Sequence, residues 1–106
     1  MAGVLVIGVA VVDFVFAVDT LPSQPTKYRA QTAEIVGGGC AANAAVAIAR
    51  LGGRAVLGAR LGDDAIGEMI VEDLGREGVD CALVQRTSGA RSSFSSVYVD
   101  NAGERQ

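Results

Sequence analysis

The residues of this chain suited to chemistry are a carboxylate, Asp13, directly after an apolar run, then the triplet Gly37, Gly38 and Gly39, then Asn43 about one helical turn further on. Backbone N–H groups at a helix entrance have no partner within the helix, and they carry the positive end of its dipole. Glycines there let a polar ligand reach those amides. A carboxylate at a strand tip accepts paired hydrogen bonds from vicinal hydroxyls, and ligands of open α/β sheets gather at the carboxyl ends of strands. The Asn43 amide both donates and accepts, which suits a hydroxyl. Each residue also has a plainer reading. The glycines make a tight turn, Asn43 satisfies a nearby backbone group, and Asp13 stabilises its loop. Lys27, between a proline-rich loop and a polar stretch, reads by spacing alone as a solvated surface charge.

Composition narrows the chemistry. The chain has 106 residues, half of them apolar, with 14 glycines and no histidine. That is enough for one small domain with a modest core. Without histidine there is no Ser-His or Cys-His nucleophile and no imidazole acid, base or metal ligand. Net charge is −3 with no basic stripe, so nucleic acid is excluded as a partner. The run "VLVIGVAVV" is too short to span a membrane, which needs about 18 apolar residues, and it lacks the positive flank of a signal peptide. Cys40 and Cys81 have no metal spacing and read as reduced packing residues of a cytoplasmic protein. No metal site is expected.

The elements that must position these residues follow from hydrophobic pattern. Residues 3–12 form a continuous apolar run, expected as a strand buried on both faces of a parallel sheet. "DFVFAV" continues it with mixed character, and "DTLPSQPTK" is a loop. "YRAQTAEIV" alternates as a strand with one wet face. "CAANAAVAIARLGG" is a helix closed by Gly52, and "RAVLGARLG" is a strand. "DDAIGEMIVEDLGREG" is a second helix, capped by Asp63 or Asp64 and closed by Gly78. "VDCALVQR" is a strand. "SSFSSVYVDNAGERQ" alternates again, with "DNAGE" as a hairpin turn. Strand–helix repeats imply a parallel sheet with crossover helices. The polar strands do not fit inside it and are expected as a small antiparallel flap. A rival pattern is also present: Gly37, Gly39 and Ala42 match the dinucleotide fingerprint G-x-G-x-x-A, with Arg60 placed for a 2′-phosphate. The half-exposed strand before it argues against that NADP-binding oxidoreductase.

In their order, "VIGVAVVD", "GGGCAANAAVAIARLGG" and "RLGDDAIGEMIVEDLGREGVD" resemble the N-terminal part of the ribokinase-like (PfkB) carbohydrate kinases. The resemblance covers nearly the whole chain. It implies a three-layer α/β/α core, incomplete here, with a small β-sheet lid built from strands near 13–18, 28–36 and 92–106. It implies transfer of the ATP γ-phosphoryl group to a sugar hydroxyl, with ATP and Mg2+ as cofactors. Asp13, Gly38, Gly39 and Asn43 match the family's sugar-binding positions. Val11 and Cys40 depart from the ribokinase pattern, which has asparagine and lysine there. "TKYRA", "VGGGCAANAA" and "RSSFSSVYVDNAGERQ" are similar to the sulfofructose kinases, in which the lysine matching Lys27 helps hold the sulfonate. The family's catalytic aspartate lies in a "GAGD" motif that this sequence does not contain. The segment is therefore expected to supply the sugar pocket and lid, to lack the nucleotide site and any catalytic residue, and to be inactive alone. The resemblance further implies a homodimer formed through the lid, for which "SSFSSVYVD" offers an exposed edge. A non-catalytic dimerisation module is the remaining alternative.

Overall fold

A computed structural model describes residues 3–106. The strands are β1 Gly3–Ile7, β2 Val11–Ala17, β3 Thr32–Gly38, β4 Arg54–Gly62, β5 Asp80–Thr87 and β6 Phe94–Val99. The helices are α1 Cys40–Arg50 and α2 Ala65–Arg76. The described residues divide into two compact units, one of residues 3–12 and 37–94, the other of residues 13–36 and 95–106.

The first unit is built on a parallel sheet of order β1-β4-β5, with α1 linking β1 and β4 through its flanking segments and α2 linking β4 to β5. Strands added always in one direction, by crossovers of one hand, place both helices on the same face. The contacts agree. The Arg50 guanidinium at the end of α1 bonds both carboxylate oxygens of Glu77 just beyond α2, at 2.6 and 2.8 Å. The core lies under the helices. It joins Ala41, Ala42 and Ala45 of α1 to Ala55, Leu57 and Leu61 of β4, and to Ile70 and Leu74 of α2. Alanine on the inner face of α1 brings that helix close to the sheet.

Two sequence expectations are corrected here. The apolar run 3–12 is not one strand: β1 ends at Ile7, and Gly8 to Ala10 separate it from β2. Nor is β1 buried on both faces. Leu5 and Ile7 lie on the face away from the helices and are 54% and 75% exposed. Together with Gly58, Arg60, Leu83 and Gln85 they line a shallow depression of about 400 Å³.

One hydrogen-bonded node fixes the entrance to α2. Asp64 is the N-cap, accepting from Gly67 N–H at 2.8 Å. The same oxygen, Oδ1, also accepts from the buried Ser92 hydroxyl at 2.7 Å, which in turn accepts from Gly62 N–H at 2.9 Å, while Oδ2 accepts from Ser92 N–H at 2.8 Å. A Cβ on Gly67 would sit 2.7 Å from the Ser92 hydroxyl, so only glycine fits. Arg86 closes the node by donating to the carbonyls of Gly62 and Asp64 at 2.8 and 3.1 Å. "GDDAIG" is thus scaffold. Asp64 caps, whereas Asp63 is exposed and 3.9 Å from Arg86.

The second unit holds a sheet of order β3-β2-β6. Phe16 stacks on Tyr98 with ring centroids 5.7 Å apart. After β6 the chain reverses at Asp100–Gly103, and Val99 pairs antiparallel with Arg105. Among the described residues no helix is long and apolar enough to cross a membrane.

The node carries a pH signature. The Ser92 N–H, then its hydroxyl, then Gly67 N–H hold the Asp64 carboxyl below the usual carboxylate range, against the opposing effect of burial. A lowered folded-state value contributes stability that is complete above the unfolded pKa, near 4, and is lost as pH falls through the folded one. Asp64→Asn is therefore expected to melt lower than the parent at pH 7, and to lose less of its Tm between pH 6 and pH 3. Thermal melts across that range check this; parallel Tm curves would contradict it.

Candidate functional site

The glycine triplet sits where β3 ends and α1 begins. Gly38 is buried and closes β3, and Gly39 is the N-cap of α1 with φ 94°. No side chain caps this helix. Instead the chain's own backbone approaches: the Val9 carbonyl, just past β1, accepts from Ala42 N–H at 3.3 Å. A Cβ on Gly39 would collide with that carbonyl. The glycine that seemed to await a ligand is thus required first by the fold, through its positive φ and by the nearness of Val9. The Val9 carbonyl satisfies one of the helix's orphan donors.

Asn43 lies in the first turn of α1, where its backbone N–H bonds the Gly39 carbonyl at 2.9 Å. Its side chain is exposed and makes no hydrogen bond among the described residues. The plainer reading, an amide that satisfies nearby backbone, is not what the side chain does. Beside it, Cys40 is exposed, which corrects its reading as a packing residue; Cys81 is half-buried, and burial first, then Asp80, raises its thiol.

In the second unit, Asp13 is the third residue of β2 and half-buried. It is a strand residue of the β3-β2-β6 sheet and does not terminate β1, as its place in the apolar run implied. Its Oδ1 accepts from the Ser95 hydroxyl of β6 at 2.6 Å. Oδ2 has no hydrogen-bond partner among the described residues, which leaves an acceptor for a hydroxyl. Sequence reasoning missed Ser95. The repeated serines of "SSFSS" mark the segment, and nothing local pairs one of them with Asp13.

Lys27 is exposed and forms no salt bridge among the described residues. Its loop is ordered from the next residue: the Tyr28 hydroxyl accepts from the N–H groups of Ser23 and Gln24 at 3.0 and 2.9 Å. Those donors lower the Tyr28 phenol from its ordinary value, Ser23 most.

The structure therefore brings Gly38, Gly39 and Asn43 together in one unit, and carries Asp13 and Lys27 on the other. The depression on the sheet is lined by none of the five. A dinucleotide fold is not favoured, because β3, the strand before the glycines, pairs with β2 and not with the parallel sheet. Among the described residues, no three His, Cys, Asp or Glu side chains gather as a metal site.

Comparison with known proteins now bears on the arrangement. The family model for pfkB family carbohydrate kinases matches residues 1–106. Over 69 residues the chain is 42% identical to "Probable fructokinase-3" of Arabidopsis thaliana and 44% identical to "Fructokinase-1" of Oryza sativa subsp. japonica. Each match covers 65% of this chain, but only 20% and 21% of those proteins. Among solved structures, Arabidopsis thaliana ribokinase complexed with ribose and ATP superposes with a TM-score of 0.85 at 29% identity, covering 96% of this chain and 33% of that one. Fructokinase from Xylella fastidiosa gives 0.76 at 31% identity, covering 98% and 30%. The chain spans about a third of the length of these solved relatives. Their likeness shows the ribokinase-like α/β fold.

The helix entrance makes a stability prediction. Gly39→Ala places a methyl group against the Val9 carbonyl and forces a positive φ on a residue with a side chain. The expected cost is about 3 kcal/mol of unfolding free energy. Urea denaturation measures it, and a loss under about 0.5 kcal/mol, the range of neutral surface changes, would contradict the contact.

Proposed function

The chain belongs to the pfkB family of carbohydrate kinases, and on that premise we propose that it provides the sugar-binding part of an ATP-dependent sugar kinase. The observation that carries the reading is the match of the family model to every one of residues 1–106. The unpaired groups at the matching positions support it: an Asp13 oxygen and the Asn43 amide, each without a protein partner among the described residues.

Hydroxyls are what such groups read. An ionised carboxylate only accepts, and a carboxamide does both, so a sugar hydroxyl can donate to one and exchange with the other. The Gly38 and Gly39 backbone lies at the same helix entrance as Asn43. Phosphoryl transfer needs an oriented hydroxyl, a base and charge stabilisation on the phosphate. These residues supply orientation. The base and the anion hole belong to a "GAGD" motif that is not among the 106 residues, so the chain by itself is proposed to bind sugar without phosphorylating it. ATP, when bound to the complete kinase, supplies the phosphoryl group.

Fructose is the proposed sugar, because the curated relatives that match are named as fructokinases. A sulfonated fructose would rest on the sequence likeness of "TKYRA", "VGGGCAANAA" and "RSSFSSVYVDNAGERQ", with Lys27 as its one charged contact. Cytoplasmic location and a homodimer through the β3-β2-β6 sheet complete the proposal. The second follows from β3, a sheet-edge strand whose residues Thr32 to Gly37 are exposed.

Titration of the 15N-labelled chain with fructose, ribose and 6-deoxy-6-sulfofructose tests this. Fructose is expected to shift the amides of Gly38, Gly39 and Asn43. Asp13→Ala and Asn43→Ala should each weaken binding about tenfold or more, the worth of one good hydrogen bond lost from a desolvated site. Lys27→Ala should weaken only the sulfonated sugar. Unchanged binding in both Asp13→Ala and Asn43→Ala would overturn the assignment, and phosphate transfer from ATP by the chain alone, followed by 31P NMR, would overturn its division of labour.

A further inference from the structure

We propose that Ser95 is a positioning residue for Asp13, and that the bond between them sets which sugar epimer the carboxylate accepts. This rests on the reading of Asp13 as a hydroxyl-binding group. The observation is the 2.6 Å hydrogen bond from the Ser95 hydroxyl to Asp13 Oδ1, made across the sheet by residues 82 apart in sequence. Both side chains are half-buried, and β6 is a direct neighbour of β2.

An aspartate carboxylate turns freely about its last torsion, which is broad and roughly two-fold. Left alone, it offers acceptor lone pairs over a wide arc. A short O–H···O⁻ bond belongs to the stronger class of hydrogen bonds and holds the carboxylate plane. With Oδ1 held by Ser95, the lone pairs of Oδ2 point in a fixed direction. Epimers differ only in where one hydroxyl points, so an acceptor of fixed direction separates them and a rotating one does not. Ser95 has one proton and gives it to Asp13, so towards a ligand its own oxygen can only accept. The β2–β6 pair thus presents two acceptors to the hydroxyls of a ligand.

The bond has a plainer role as well, namely holding β6 against β2. The two roles part on selectivity. A structural loss weakens every ligand alike, whereas a positioning loss weakens the matched epimer more than the mismatched one.

The experiment titrates the chain with fructose and with its C4 epimer, tagatose. It uses the parent, Ser95→Ala, Ser95→Thr, Asp13→Asn and the Asp13→Asn/Ser95→Ala pair, with thermal melts to verify folding. Ser95→Ala is expected to raise the Kd for fructose about five- to tenfold, leave that for tagatose within about twofold, and so collapse the ratio between them. Ser95→Thr, which keeps the hydroxyl, should retain the ratio. In the Asp13→Asn background, Ser95→Ala should add nothing. An unchanged ratio in Ser95→Ala, or equal weakening of both epimers, overturns the proposal while leaving Asp13 in place. Fructose binding untouched by Asp13→Asn overturns the underlying reading instead, and absence of fructose binding by the parent overturns both. If Ser95→Ala does not fold, Ser95→Thr against Ser95→Val, equal in shape and different in the hydroxyl, decides in the same way.

Discussion

The contact on which the candidate site depends is between two pieces of backbone: the Val9 carbonyl and the start of α1. It accepts from Ala42 N–H at 3.3 Å and occupies the space a Cβ on Gly39 would need. Small residues make the approach possible from both sides. A Cβ on Gly8 would lie 2.9 Å from the Ala41 methyl, and Ala41, Ala42 and Ala45 are the buried face of the helix. Because the contact is between main chains, it has no rotamers to vary and it fixes where α1 begins. Asn43 is held one turn later by the same arrangement. The precision of the site comes from the absence of side chains.

The parts of the fold legible in the sequence were those written in local pattern. Helical spacing in α2, the aspartate at its start and glycines beyond both helices gave elements whose ends the structure places within a residue or two; Gly52 and Gly78 take φ 88° and 87°. The alternation of residues 94–99 and the turn after them were equally visible. The break at Gly8–Ala10 was not. β1 and β2 both use apolar residues, and a chain leaving one sheet for another need not change composition. The expectation of burial on both sides of β1 failed for a related reason. Residue type reports which environment a side chain suits, and Leu5 and Ile7 suit a covered face that the described residues do not provide.

Long-range polar contacts were invisible for a different reason. Ser92 to Asp64 and Ser95 to Asp13 each join residues far apart in the chain, 28 and 82 positions. Serine is common on any surface, and no spacing rule singles out which one is aimed at a carboxylate. The family-like motif "GDDAIG" shows the converse. It was easy to find, yet its residues hold the turn between β4 and α2: Gly67 for closeness to Gly62 and Ser92, Asp64 for its three donors. A motif that is conspicuous in sequence can be scaffold, while a residue without a motif, Ser95, bonds the carboxylate proposed for the site.

In the proposed function, choice between a neutral and an anionic sugar turns on Lys27 and the loop that carries it. The chain carries a net charge of −3, so its long-range field disfavours anions. The groups proposed to read hydroxyls, the backbone amides, Asn43 and Asp13, include no cation, and a carboxylate at Asp13 repels a negative group. Lys27 is the only cation among the proposed site residues. A lone exposed lysine is a weak anchor, because ordering its four-carbon stem costs entropy that a screened charge barely offsets. Its neighbour lowers that cost. Tyr28 takes two backbone N–H groups onto its hydroxyl and holds the Ser23–Tyr28 turn, so the backbone under Lys27 is ordered before any ligand arrives. Preorganisation of that kind lowers the cost of binding without adding a contact. In the proposed reading, selectivity for charge would therefore rest on the tyrosine that fixes the loop as much as on the lysine that would meet the anion.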